Sequence, residues 1–160
     1  MTLLGDSRVR LAAIVGAAVL VADQATKALV QYAMVPHQSI PILPFFAITY
    51  VRNTGAAFGI LAAAPSSVRL PVFFAVTLVA GVALLAYLRR TPPDQRWLVG
   101  ALGAILGGAI GNLICRARYG EVIDFLHLHW GELYWPMFNV ADSAITVGVA
   151  IVLLHARRER

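Results

Sequence analysis

Apolar residues along this chain gather into four long runs broken by isolated charges. The first extends from about Val9 to Tyr32 and is interrupted by Asp23 and Lys27. The second, Leu70 to Leu88, stands between Arg69 and Arg89, and the third, Trp97 to Cys115, between Arg96 and Arg116. The fourth runs from about Phe138 to Ala156 and carries Asp142 near its start. Each approaches the roughly 20 residues that a helix needs to cross a hydrocarbon core. Only helices or closed barrels satisfy the backbone there, and these runs lack barrel-type alternation. Four transmembrane helices are therefore predicted, over residues 9–32, 70–88, 97–115 and 138–156.

The segment from Pro41 to Gly59 has a different texture. Phe45-Phe46-Ala47-Ile48-Thr49-Tyr50-Val51 is β-branched and aromatic, and Asn53-Thr54-Gly55 is a turn signal. A short β-platform over residues 41–59, lying at the membrane surface, fits this pattern. The fold expected is an all-α membrane protein of four transmembrane helices with a small extracytoplasmic β-platform between helices one and two. Trp130, Tyr134 and Trp135 add aromatics suited to the headgroup level.

Composition agrees with the pattern. Of 160 residues, 59% are hydrophobic and 13% charged, with a mean hydropathy of +0.75. A soluble domain carries about 25% charged residues, so the chain reads as one integral membrane domain over residues 1–160. The net charge of +5 does not point to nucleic acid, because the one Lys and twelve Arg mostly flank apolar runs. With both termini inside, Arg8, Arg10, Arg89, Arg90, Arg96, Arg157, Arg158 and Arg160 are cytoplasmic, against Lys27, Arg52, Arg69, Arg116 and Arg118 outside. Arg8 and Arg10 before Leu11–Ala22 resemble the start of a cleaved signal peptide. The apolar character resumes past Lys27, however, and no small-x-small site precedes a soluble domain, so a retained helix is expected. The single cysteine, Cys115, excludes an internal disulfide framework.

Candidate chemistry lies in the polar residues within these runs. At 1.5 Å per residue, Asp23 stands roughly 21 Å above the cytoplasmic side of the first helix and Asn112 roughly 24 Å up the third. Asp142 falls in the first turns of a helix that begins outside, and Asp124 in the outer connection between helices three and four. The polar residues thus collect in one layer, whereas a proton or ion path needs carriers spread through the whole thickness. Each also has a structural reading. Asp23 and Lys27, spaced i,i+4, form an ion pair on a helix; Asn139 and Asp142 suit a cap and the helix macrodipole. Asp124, between Val122-Ile123 and Phe125-Leu126, is harder to explain that way, because a carboxylate so enclosed needs a partner. Gly103, Gly107 and Gly111 form a doubled G-x-x-x-G stripe that allows close helix approach. His127 and His129 suggest a metal site but lack a third ligand at suitable spacing and read as interfacial.

At this point the residues match a family. The chain resembles the lipoprotein signal peptidases (signal peptidase II), bacterial inner-membrane aspartyl proteases. The matching blocks are Asp23-Gln24-Ala25-Thr26-Lys27, Asn53-Thr54-Gly55-Ala56-Ala57-Phe58, Gly111-Asn112-Leu113-Ile114, Val122-Ile123-Asp124-Phe125 and Phe138-Asn139-Val140-Ala141-Asp142-Ser143. They occur in the family's order and span nearly the whole chain. The resemblance implies removal of signal peptides from prolipoproteins, with cleavage just before a diacylglyceryl-modified cysteine. By position it implies that Asp124 and Asp142 are the catalytic pair, and that Asp23, Asn53, Asn112, Arg116 and Asn139 line the substrate channel. It further implies a multi-pass protein of the bacterial inner membrane, with both termini cytoplasmic and an active site near the outer face. Block by globomycin-type inhibitors is expected, as are a monomer and no metal or organic cofactor.

One position departs. The family usually places an acid where this chain has Cys115, beside Arg116. A carboxylate there is expected to orient the arginine, so its absence raises the alternative of an impaired family member. Two other readings differ in class: a small ion- or proton-coupled transporter, and a non-catalytic membrane subunit held by the glycine stripe. Separate substitution of Asp124 and Asp142 distinguishes them through cleavage, flux or assembly.

Overall fold

The computed structural model describes residues 6–56 and 59–158. Ala57 and Phe58 of the second motif block, and Arg160 of the basic set, lie outside the described residues.

Among the described residues, four helices are long and apolar enough to cross a membrane: α1 (Ser7–Ala33), α2 (Ser66–Arg90), α3 (Arg96–Tyr119) and α4 (Val140–Arg158). α1 begins where Asp6 caps it, its carboxylate accepting from the Arg8 amide at 2.9 Å. α2 starts four residues earlier than the apolar run indicates. Pro71 then lies in its second turn, where the helix forgoes one backbone bond. α3 ends at Gly120, whose φ of 76° is the left-handed conformation that closes a helix without a Cβ clash.

α3 is the central helix, packed between α1 and α4 and also touching α2. Its small residues determine how close those neighbours come. A Cβ on Gly103 would strike the backbone of Ala12, and one on Gly107 the backbone of Gly16, so the glycine stripe meets α1 backbone to backbone. Gly108 faces the other way, onto the Ala141 carbonyl of α4. The outer surfaces of α1, α2 and α4 carry exposed Ile14, Val21 and Leu29, Val76, Leu78 and Val79, and Val147, Leu153 and Leu154. A bilayer, not a second protein layer, is the natural cover for such faces.

The sheet is larger than the segment between helices one and two suggests. It has four antiparallel strands in the order β1 (Ser39–Leu43), β2 (Phe46–Asn53), β3 (Val122–Trp130) and β4 (Leu133–Tyr134). The second pair comes from the connection between α3 and α4. β2 supplies an exposed edge of unpaired backbone groups that β3 satisfies, a pairing of distant segments that local signals do not reveal. The β2–β3 register sets Val51 opposite Asp124 and Asn53 opposite Val122. The Phe138 carbonyl accepts from the amides of Phe125 and Leu126 at 3.0 and 2.8 Å, tying the chain before α4 to β3.

Candidate active site

Three independent elements bring the polar residues together at one end of the bundle. Asp124 is on β3, Asn112 and Arg116 are one turn apart on α3, and Asn139 and Asp142 open α4. Asn139 and Asp142 form a reciprocal cap. The Asp142 amide donates to Asn139 Oδ1 at 3.0 Å, and the Asn139 amide donates to Asp142 Oδ2 at 3.2 Å. The structural reading of these two residues is therefore correct, and it does not compete with a role in the site. The cap is what fixes where the Asp142 carboxylate points.

A cavity of about 530 Å³ opens between α3, α4 and the sheet, walled by Asn53, Asn112, Arg116, Asp124, Asp142 and the stretch Trp135–Phe138. Asp142 Oδ1 accepts from Asn112 Nδ2 at 2.7 Å. Asp124 Oδ1 accepts from Asn139 Nδ2 at 2.8 Å, and its Oδ2 from Asn53 Nδ2 at 3.0 Å. Each of the four carboxylate oxygens thus receives one donor and keeps a lone pair for water or a proton. Asp124 is 2% exposed. Burial raises its pKa from the ordinary carboxylate value to about 6; the bond from Asn53 opposes the rise, and the nearby Asp142 charge adds to it. The bond from Asn139 and the Lys27 charge also oppose it.

Five of the seven residues expected at the site line this cavity; Asp23 and Asn139 do not. Asp23, expected on the channel wall, is fully buried behind it. Its carboxylate accepts from Lys27 Nζ at 2.8 Å, from Gln24 Nε2 at 3.0 Å and from the Ala141 amide at 3.0 Å. It is held by three donors from α1 and α4, so it braces the start of α4 behind the cavity wall. Asn139 is equally buried and reaches the cavity only through the carboxylates it holds.

Arg116 does enter the cavity. Its Nη2 donates to the Gly55 carbonyl at 3.1 Å, and its guanidinium stacks 4.3 Å from the centre of the Phe73 ring. Its Nε is buried and has no hydrogen-bond partner among the described residues. Phe73, on α2, escaped the sequence reading because one phenylalanine in an apolar run gives no signal. Cys115 packs into an apolar cluster with Val30, Met34, Tyr50 and Ile123, while Arg116 faces the cavity. Adjacent helical residues point about 100° apart. Gln24 Nε2 lies 4.0 Å from the Cys115 sulfur. His127 stacks on Tyr134 while His129 is tilted against both rings, and the Thr49 hydroxyl lies 3.1 Å from His127 Nδ1.

Four membrane-length helices, with two carboxylates facing one cavity at their polar end, define a multi-pass membrane protein with a paired-acid site. The chain belongs to the signal peptidase (SPase) II family, which matches residues 15–158. It is 51% identical over 151 residues to the lipoprotein signal peptidase of Geobacter metallireducens, covering 94% of this chain and 92% of that protein. It is 48% identical to the lipoprotein signal peptidase of Syntrophotalea carbinolica over the same shares. Among solved structures, a bacterial membrane enzyme determined by the in meso method at 2.3 Å resolution superposes with a TM-score of 0.83 at 30% identity. That match covers 92% of this chain and 88% of the solved one.

Proposed function

We propose that this protein is a membrane aspartyl endopeptidase that removes signal peptides from prolipoproteins, cutting before the lipidated cysteine. The observation that carries the reading is the pairing of Asp124 and Asp142 on one cavity, cross-braced by Asn112 and Asn139. Nearby buried carboxylates do not both ionise readily, so the pair shares a proton. The charged member takes a proton from water, which attacks the scissile carbonyl. The protonated member polarises that carbonyl and then delivers its proton to the leaving amine. In this reading Arg116, whose side chain lines the cavity, holds a substrate carbonyl. Asn53 and Asn112 serve the same channel, while Asp23 and Asn139 act behind it. In this reading the protein is a monomer of the bacterial inner membrane, both termini are cytoplasmic, and the site faces the outer leaflet. A globomycin-type inhibitor would fill the cavity, and neither metal nor cofactor takes part.

The test is incubation of the purified protein, in detergent or liposomes, with a prolipoprotein carrying or lacking the diacylglyceryl group. Only the lipidated form should be cut, with the new N-terminus at the modified cysteine by mass spectrometry. Equal cleavage of the unlipidated form would remove the lipid from the recognition rule. Cleavage of neither would sink the protease reading.

The pH profile follows from Asp124. A carboxyl with a raised pKa keeps its proton to higher pH, so the singly protonated pair is lost as pH rises through that value. The alkaline limb of kcat/KM is expected at about 6, and that of kcat higher still, because bound substrate deepens the burial. An alkaline limb in the ordinary carboxylate range, near about 4, would show that Asp124 is not the proton-bearing member.

A further inference from the structure

The chain has a single lysine, and it is 2% exposed and absent from the cavity wall. An i,i+4 ion pair with Asp23 explains one of its bonds. It does not explain the second, in which Lys27 Nζ donates to Asn112 Oδ1 at 2.8 Å. An ammonium only donates, so it dictates how the Asn112 amide lies. With Oδ1 turned to Lys27, and also accepting from Asn139 Nδ2 at 3.3 Å, the Asn112 NH2 must face Asp142. A flipped amide would set donor against donor at Lys27 and Asn139, and acceptor against acceptor at Asp142. Asn139 is oriented in turn, its NH2 toward Asp124 and its oxygen toward the Asp142 amide.

Resting on the protease reading above, we propose that Lys27 is the positioning residue of the carboxylate pair. Its ammonium fixes the Asn112 amide, and through Asn112 and Asn139 it holds Asp142 and Asp124 in the arrangement that shares one proton. Lys27 touches neither substrate nor the reacting atoms. The charged groups around it are Asp23 on α1, Asp124 on β3 and Asp142 on α4. Within that set its positive charge favours the ionised form of Asp124.

Lys27→Met alone strands the buried Asp23 charge, so the test uses Asp23→Asn/Lys27→Met, which removes both charges while the Asn side-chain oxygen can still accept from the Ala141 amide. The double variant should fold and bind substrate with KM close to wild type. Its kcat should fall about 10²-fold, the order expected when reacting groups shift by an ångström. The alkaline limb should move to higher pH, because Asp124 loses a cation that favoured its ionised form. Infrared titration of the protonated carboxyl band, assigned with Asp124→Asn, should show the same upward move without any substrate. Asp23→Asn/Lys27→Leu, which likewise offers Asn112 no donor, is the second variant should the first fail to fold, with the same direction expected in both readouts. A folded double variant with wild-type kcat and an unmoved carboxyl band would reduce Lys27 to a partner of Asp23. Failure of both pairs to fold would assign Lys27 a structural role and overturn the proposal. If the wild-type protein cleaves nothing, the protease reading fails separately, and the infrared band still judges Lys27.

Discussion

Asp124→Asn and Asp142→Asn should each slow signal-peptide release by at least about 10³-fold, the scale on which paired acid–base groups fail when either is removed. Each substitution abolishes a proton-sharing partner, so the two losses should not add: the double variant should be no worse than the weaker single one. The structure also sets what these variants do to stability. All four carboxylate oxygens face donors: Asn53, Asn112, Asn139 and the Asn139 amide. An asparagine must turn its NH2 against one of them and forfeit that bond, at about 1–2 kcal/mol. A small drop in melting temperature with folding intact is therefore expected, alongside the loss of turnover. Substrate binding, read by competition with a globomycin-type inhibitor, should persist. Nearly full turnover in either variant would exclude that residue from the chemistry.

Gly107→Leu should prevent α1 and α3 from packing, at a cost of about 3 kcal/mol or more for overpacking a close contact. Even the first added carbon would meet the Gly16 backbone, which has no flexible end to yield. Gly107→Ala should destabilise by less, and Gly100→Ala, inside the same helix with nothing within 4 Å of its Cβ position, should keep or slightly raise the melting temperature. The consequence reaches the site. One turn further along, Gly111 packs on the Asp23 carboxylate, and Asp23 and Lys27 join α1 to α4 and to Asn112. A wedge at 107 should thus cut cleavage more steeply than it lowers the melting temperature. Size exclusion, thermal unfolding and the cleavage assay on the same preparations test this. A Gly107→Ala protein as stable as wild type would mean that the two backbones are not in contact.

The local pattern carried a great deal. Apolar length marks a membrane helix without knowledge of its neighbours, because in lipid the helix must satisfy its own backbone. The fixed rise per residue then places Asp23 and Asn112 at one depth, and the glycine spacing marks α3 as a close-packing helix. Those inferences needed only the order of residues along one helix. Whether a polar group faces the cavity or lies behind it depends on rotation about the helix axis and on what arrives from elsewhere. Asp23 and Asn112 share a layer, yet only Asn112 lines the cavity, because Lys27 and the α4 amide of Ala141 occupy the Asp23 carboxylate. Cys115 and Arg116 are neighbours in sequence, and the helix turns them onto different faces.

The remaining decisions needed partners far away in the chain. β3 joins β2 across about seventy residues, and that register brings Asn53 to Asp124. Phe73 slides under Arg116 from a helix with no polar signal of its own. The sequence by itself determined the membrane class, the four helices and the acids at one level, because each follows from local hydrophobicity and a fixed helical rise. Only the tertiary structure decided which acids share a cavity and that Lys27 reaches Asn112 beside them. Hydrogen-bond donors and acceptors from different elements must be matched in space before any one of them has a direction.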